Sequence, residues 1–205
     1  MTNAKDSFIP KGYTVPVTSN YMKFQDGMNT FRFLSKPIMG MEYWKANPKD
    51  PSKRVPIRKR MGVNINVSDL EINPQSGKID NPSHFWAMVV YNYVAKRIQI
   101  LEIKQNTIIK AVLSYIENPK WGSPTEYDIN VKKSGSLLTT EYLVDHDPKE
   151  PTDKEILKKY KNTEINLEAL FDGADPFEAQ KAKNEAPPIE NDPDAFEKEI
   201  DKMPF

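Results

Sequence analysis

Residues 85–93 (FWAMVVYNY) and 97–103 (RIQILEI) form a pair of alternating stretches that sets the class of fold. Both are rich in aromatic and β-branched side chains, and only Val94, Ala95 and Lys96 separate them, a spacing that predicts a β-hairpin. Upstream, residues 31–34 and 38–44 read as one further strand bent at Pro37, because proline cannot donate to a sheet ladder. After Ile103 the apolar period lengthens to about 3.6. Ile108, Ile109, Val112, Leu113 and Ile116 then share a helical face that opens at Asn106 or Thr107 and stops before Pro119 and Gly122. Two more alternating stretches, 127–131 and 141–144, flank a turn-like KKSGS segment at 132–136. This order predicts a mainly-β chain: a five-stranded OB-fold Greek-key barrel with one helix between its third and fourth strands. A doubly wound α/β sheet would need repeated strand–helix alternation, which is missing here.

Charge divides the chain differently. The total is 29 bases against 29 acids, but residues 162–205 hold 12 acids and 4 bases, leaving 17 acids and 25 bases in residues 1–161. A basic body of net +8 therefore carries an acidic tail of net −8. Residues 1–161 are expected to form the OB domain with an N-terminal arm and a short connector, in which TDKE at 152–155 resembles a capping box. Residues 162–205 are expected to be a disordered acidic tail punctuated by prolines. The chain has no cysteine and two histidines far apart, which excludes thiol chemistry, iron–sulfur clusters and Cys-type zinc sites. No cofactor, metal or membrane partner is implied, and the absence of a signal-like or membrane-length apolar run predicts a cytoplasmic protein.

Residues 45–60 contain seven bases and one acid, and are expected to form the loop joining the first two strands. On an OB barrel that loop borders the oligonucleotide face. A solvated loop would have the same composition. Neighbouring aromatics favour the binding reading: Tyr43 and Trp44 enter the loop, and Phe85, Trp86, Tyr91 and Tyr93 lie on the strand that leaves it. Bases stack on such rings for about 1–3 kcal/mol each with little regard to sequence. Alternation separates Trp86, Met88 and Val90 from Phe85, Ala87, Val89, Tyr91 and Tyr93. The odd-numbered set is assigned to the outside because it holds three rings, and Trp86 to the core. The candidate DNA-binding residues are Tyr43, Trp44, Lys53, Arg54, Arg58, Lys59, Arg60, Phe85, Tyr91, Tyr93 and Arg97. Trp121 is read as core packing, Lys132 and Lys133 as turn residues, and His84 and His146 as incidental. No catalytic residues are assigned. The KFQDG segment at 23–27 has one residue too many for the lysine motif of nucleotidyl-transferring ligases, and phosphate-cradling glycine loops are missing.

The blocks YMKFQDGMNTFRFLS at 21–35, PIMGMEYW at 37–44, HFWAMVVY at 84–91 and IQILEI at 98–103 resemble those of phage-encoded single-stranded DNA-binding proteins of OB type, in order across residues 13–148. Separately, DKMPF at 201–205 is similar to the acidic tip of bacterial single-stranded DNA-binding proteins, except that Lys202 interrupts the acidity. The resemblance implies a protein of the host-cell cytoplasm that coats single-stranded DNA in replication, recombination or repair. It also implies recruitment of replication or recombination partners through Asp201, Met203, Pro204 and Phe205. By the family pattern Tyr43, Trp44, Arg58, Phe85, Trp86 and Tyr91 lie nearest the binding blocks. Self-association or cooperative assembly on DNA stays open. So do two other classes: an OB-type RNA-binding or recombination-annealing protein, and a phage adaptor whose barrel binds protein.

Overall fold

Strand β5 (Ser83–Asn92) is the axis of the molecule, with every side chain from Phe85 to Tyr91 buried. The computed structural model describes residues 19–179. Before β5 come β1 (Tyr21–Met22), β2 (Gly27–Phe33), β3 (Ile38–Asn47) and β4 (Asp50–Arg60). After it come β6 (Arg97–Ile103), α1 (Asn106–Glu117), β7 (Asp128–Ser134), β8 (Glu141–His146) and α2 (Lys154–Asn162). The β5–β6 hairpin forms as its composition predicts, with Asn92 opposite Arg97.

The bend at Pro37 is also present. Phe33 faces Val90 in the β2–β5 ladder and Ile38 faces Ala87 in the β3–β5 ladder, so five residue steps on one side oppose three on the other. The slack is taken up by Leu34 N–H donating to Val89 O and Val89 N–H to Ser35 Oγ, each at 2.9 Å.

A closed five-stranded barrel does not form. The eight strands make one mixed, open sheet in the order β1-β6-β5-β2-β7-β8, with β3 on the free half of β5 and β4 outside it. Two features differ from the sequence reading, and the second bears on the open edge. Residues 45–60 are not a loop but most of the β3–β4 hairpin, which turns at residues 47–50. The short β1 pairs in parallel with the outer edge of β6, Tyr21 opposite Ile100, and occupies the backbone groups a closing strand would need.

The even-numbered side chains of β5, Trp86, Met88 and Val90, enter a core with Phe31, Phe33, Leu101, Ile103, Ile129 and Val131. Helix α1, whose N-cap is Gln105 rather than the expected Asn106 or Thr107, closes that core with Ile108, Ile109 and Val112. Each such fully buried side chain contributes roughly 1.5–3 kcal/mol. The outer part of the helix stripe, Leu113 and Ile116, remains half exposed.

The odd-numbered set does not lie outside. Phe85, Ala87 and Ile100 form a second core with Leu170 and Phe177, flanked by Ile38, Ile165, Leu167 and Phe171. The segment 163–179, placed by its charge in a disordered tail, therefore folds back over the sheet. Its apolar side chains are spaced among acids that stay at the surface, which conceals them in a charge count. Asn166 N–H donates to Pro176 O at 2.9 Å to close the segment on itself. At Gly40 the packing is so close that a Cβ would sit 2.4 Å from Lys59 O and 2.9 Å from the Phe171 and Phe85 rings.

Candidate nucleic-acid interface

In the β3–β4 hairpin, register decides what each base can do. Glu42 lies opposite Arg58 in the ladder. Arg58 Nη2 donates to both carboxylate oxygens of Glu102 at 3.0 Å, and its Nε lies 3.0 Å from Glu42 Oε2 without hydrogen-bond alignment. Lys104 pairs with the other Glu42 oxygen. Two cations and two carboxylates thus form a compensated quartet around a Glu42 side chain that is 0% exposed. Arg54 pairs with Asp80 and donates to Trp44 O at 2.6 Å. The Arg54 and Asn73 hydrogen bonds hold the Asp80 carboxyl below the usual carboxylate range. Lys45 reaches Asp69 at 3.5 Å, Lys53 reaches Asp50 at 3.0 Å, and Arg60 pairs with Glu168. Of the seven bases in residues 45–60, only Lys49 and Lys59 have no ion pair among the described residues. Lys53 and Lys59 are exposed.

The candidate rings divide in the same way. Tyr43 is buried at 3% exposure, whereas Trp44, next in the strand, is 39% exposed. Phe85 is fully buried beneath Phe171, with ring centres 6.1 Å apart, and the Arg58 guanidinium lies 5.6 Å from its own ring centre. Tyr91 is buried and meets Tyr93 edge to face at 5.1 Å. The Tyr93 hydroxyl donates to Asp128 Oδ1 at 3.1 Å; burial, then the Asp128 charge, pushes its pKa up to about 12. Asp128 also pairs with Arg32, a 1%-exposed side chain that the sequence reading overlooked. Arg32 donates onward to Glu150 O and Thr152 Oγ1, both at 3.1 Å, so Thr152 ties down a loop while Asp153 caps α2. Arg97 donates to Asn20 Oδ1 at 3.0 Å. Trp121, expected as core packing, is instead 36% exposed, its ring 4.2 Å from that of His146, which also meets Tyr115 and Tyr127. Asp201, Met203, Pro204 and Phe205 lie outside the described residues.

A different surface collects basic and aromatic side chains together. Because β1 caps β6 and no ladder joins β6 to β8, a groove of about 440 Å³ opens between them. Its walls carry Lys23, Lys104 and Lys133 with Tyr21, Phe24 and Tyr142, against the single carboxylate of Glu102. Phe24 and Tyr142 meet edge to face at 5.9 Å. Lys133 pairs with the exposed Asp26 at 2.8 Å, and this hydrogen bond raises its pKa above the ordinary lysine value. Lys23 is exposed and has no ion pair among the described residues. The available signal was cross-strand pairing: Lys133 lies opposite Tyr142, which puts a base beside a ring at the end of the β7–β8 hairpin.

Comparison of the chain with protein families, curated proteins and solved structures gave no match. The family resemblance therefore rests on the sequence blocks alone. No helix among the described residues is long and apolar enough to cross a membrane.

Proposed function

We propose that this protein binds single-stranded DNA without sequence preference, as the phage-encoded proteins with similar blocks do, coating strands exposed in replication, recombination or repair. The carrying observation is the groove in which Lys23, Lys104 and Lys133 stand beside Tyr21, Phe24 and Tyr142. Lys23, which has no ion pair among the described residues, and Lys133, paired to the exposed Asp26, would meet phosphates while rings offer stacking surface, the combination that serves single strands. Trp44, exposed on the projecting hairpin, adds a second stacking platform.

With β2 and β3 taken as one bent strand, the ladder β6-β5-β2-β7-β8 has the neighbour order of a partly open OB sheet, and α1 falls between its third and fourth strands. Recruitment of replication or recombination partners by residues 201–205 completes the proposal.

Titration of labelled dT oligonucleotide at several salt concentrations tests it. Log affinity should fall against log salt by about 0.7 per phosphate neutralised. Equal affinity for duplex of the same length, or no salt dependence, refutes the reading. Equal affinity for RNA would move it to the RNA-binding class.

A further inference from the structure

We infer that copies of this protein associate head to tail, the apolar tip of the β7–β8 hairpin of one copy entering an apolar pocket at the far end of the next. The tip is Leu137 and Leu138, which are 93% and 103% exposed. Leu143, 69% exposed, continues the apolar surface onto β8. Single exposed leucines need no explanation, but these two sit side by side at the apex of a tightly braced turn.

Thr139 N–H donates to Ser136 O at 3.0 Å and Ser136 N–H to Thr139 Oγ1 at 3.3 Å. The Thr140 hydroxyl donates to Leu137 O at 2.9 Å. Gly135 has φ +76°, and a Cβ there would lie 2.1 Å from Thr139 O. Leu137 itself is held at φ +49°, a left-handed conformation that branched, bulky residues avoid. A turn needing that backbone would ordinarily take Asn or Gly. An apolar side chain kept there, in water and preorganised, fits a surface that gains from being covered.

The pocket has a volume of about 440 Å³ and is walled by Phe33, Pro37, Trp86, Met88, Val112 and Ile116. Its position rules out the molecule's own tip. In the β2–β7 ladder Gly27 lies opposite Lys133 at the tip end and Arg32 opposite Asp128 at the other. Phe33 and Thr125, which border the pocket, lie at that second end. Five residue steps at about 3.4 Å put the two sites on the order of 17 Å apart before the turn is added. Charge agrees with the docking: exposed Lys36 stands at the pocket mouth, and exposed Glu141 at the foot of the tip. A head-to-tail junction leaves one free tip and one free pocket, so copies keep adding, whereas an antiparallel pair that engaged both sites at once would stop at two. Two leucines and a rim bury less than the roughly 1,200 Å² of a stable interface, so the association is weak.

Sedimentation velocity of the full chain without nucleic acid tests this independently of the DNA-binding reading. The weight-average sedimentation coefficient should rise with protein concentration and pass the dimer value without a plateau. Leu137→Asn with Leu138→Ser removes the tip, and Ile116→Arg, at a half-exposed wall residue, blocks the pocket. Each variant alone should stay monomeric, its association at least about tenfold weaker, while an equimolar mixture should form a species that stops at two copies. Melting curves establish that both variants are folded; asparagine tolerates the left-handed backbone, so the tip variant should melt no lower than the parent. A parent chain that stays monomeric at all concentrations overturns the proposal. Assembly of either variant alone, or failure of the two to combine, overturns it equally.

Discussion

The β3–β4 hairpin and the β6–β8 groove are both basic, but they come by their charge in opposite ways. The hairpin concentrates seven bases in residues 45–60 and has five of them in ion pairs with acids brought from residues 42, 50, 69, 80, 102 and 168. The groove gathers three lysines from residues 23, 104 and 133, and one of them, Lys23, has no ion pair among the described residues. A run of bases in sequence therefore measures what the fold must neutralise as much as what a ligand could use. Field strength at a surface depends on which acids the register delivers to it, which a linear count cannot register.

Removing a single hairpin base separates the two regions most sharply. Arg58→Ala leaves Glu42 and Glu102 short of a partner in the interior, and breaking a buried pair on one side costs about 3–5 kcal/mol. Denaturant unfolding should show that loss, and a stability change below about 1 kcal/mol would mean that Arg58 is, like Lys23, an available charge. The exposed ring of the hairpin should behave conversely. Trp44→Ala is expected to weaken oligonucleotide binding by about 1–3 kcal/mol while the melting temperature falls less than for Arg58→Ala, read by titration and calorimetry on the same samples.

In the groove, Lys23→Ala combined with Lys133→Ala should flatten the salt slope by about 0.7 for each phosphate that is no longer neutralised. The same test on Lys49 and Lys59 asks whether the unpaired bases of the hairpin contribute at all; an equal flattening there would erase the distinction. The smallest effect is on acidification. Hydrogen bonding holds Asp80 below its unfolded value of about 3.9, so the Arg54–Asp80 latch contributes fully above that pH and is lost as pH falls through the depressed value. Trp44 fluorescence should change in that range, since Arg54 also holds the Trp44 carbonyl. A change centred above pH 5 would assign the latch to another group.

Periodicity made part of this fold legible and concealed the rest. The β5–β6 hairpin is announced by its aromatic and β-branched content on either side of a short turn, the bend by Pro37, and helix α1 by the spacing of the one face it buries. Strand β4 buries little: it pairs only with β3, tolerates Pro51 and Pro56 as an outer strand does, and consists largely of charged residues. Strand β1 is two residues long, too short for any period to be read. The covering of Phe85 and Ala87 was hidden because β5 is apolar on both sides, a pattern that reports burial without naming what lies above it. For the candidate site, rings and bases were legible as types. Their assembly in the groove was not, because it depends on the gap that β1 leaves by occupying the edge of β6.

The cover over Phe85 comes from far along the chain, and this has a consequence for synthesis. Phe177 follows Phe85 by 92 residues (177 − 85), so at about 5–20 residues per second a growing chain waits on the order of 5–20 s between making the sheet face and making what closes it. The first core can assemble once β7 has been made, but Phe85, Ala87 and Ile100 stay bare through that interval. A nascent chain of this protein thus passes through a stage with a finished strand pair and an open apolar face, when neighbouring chains on one message are most able to stick to one another.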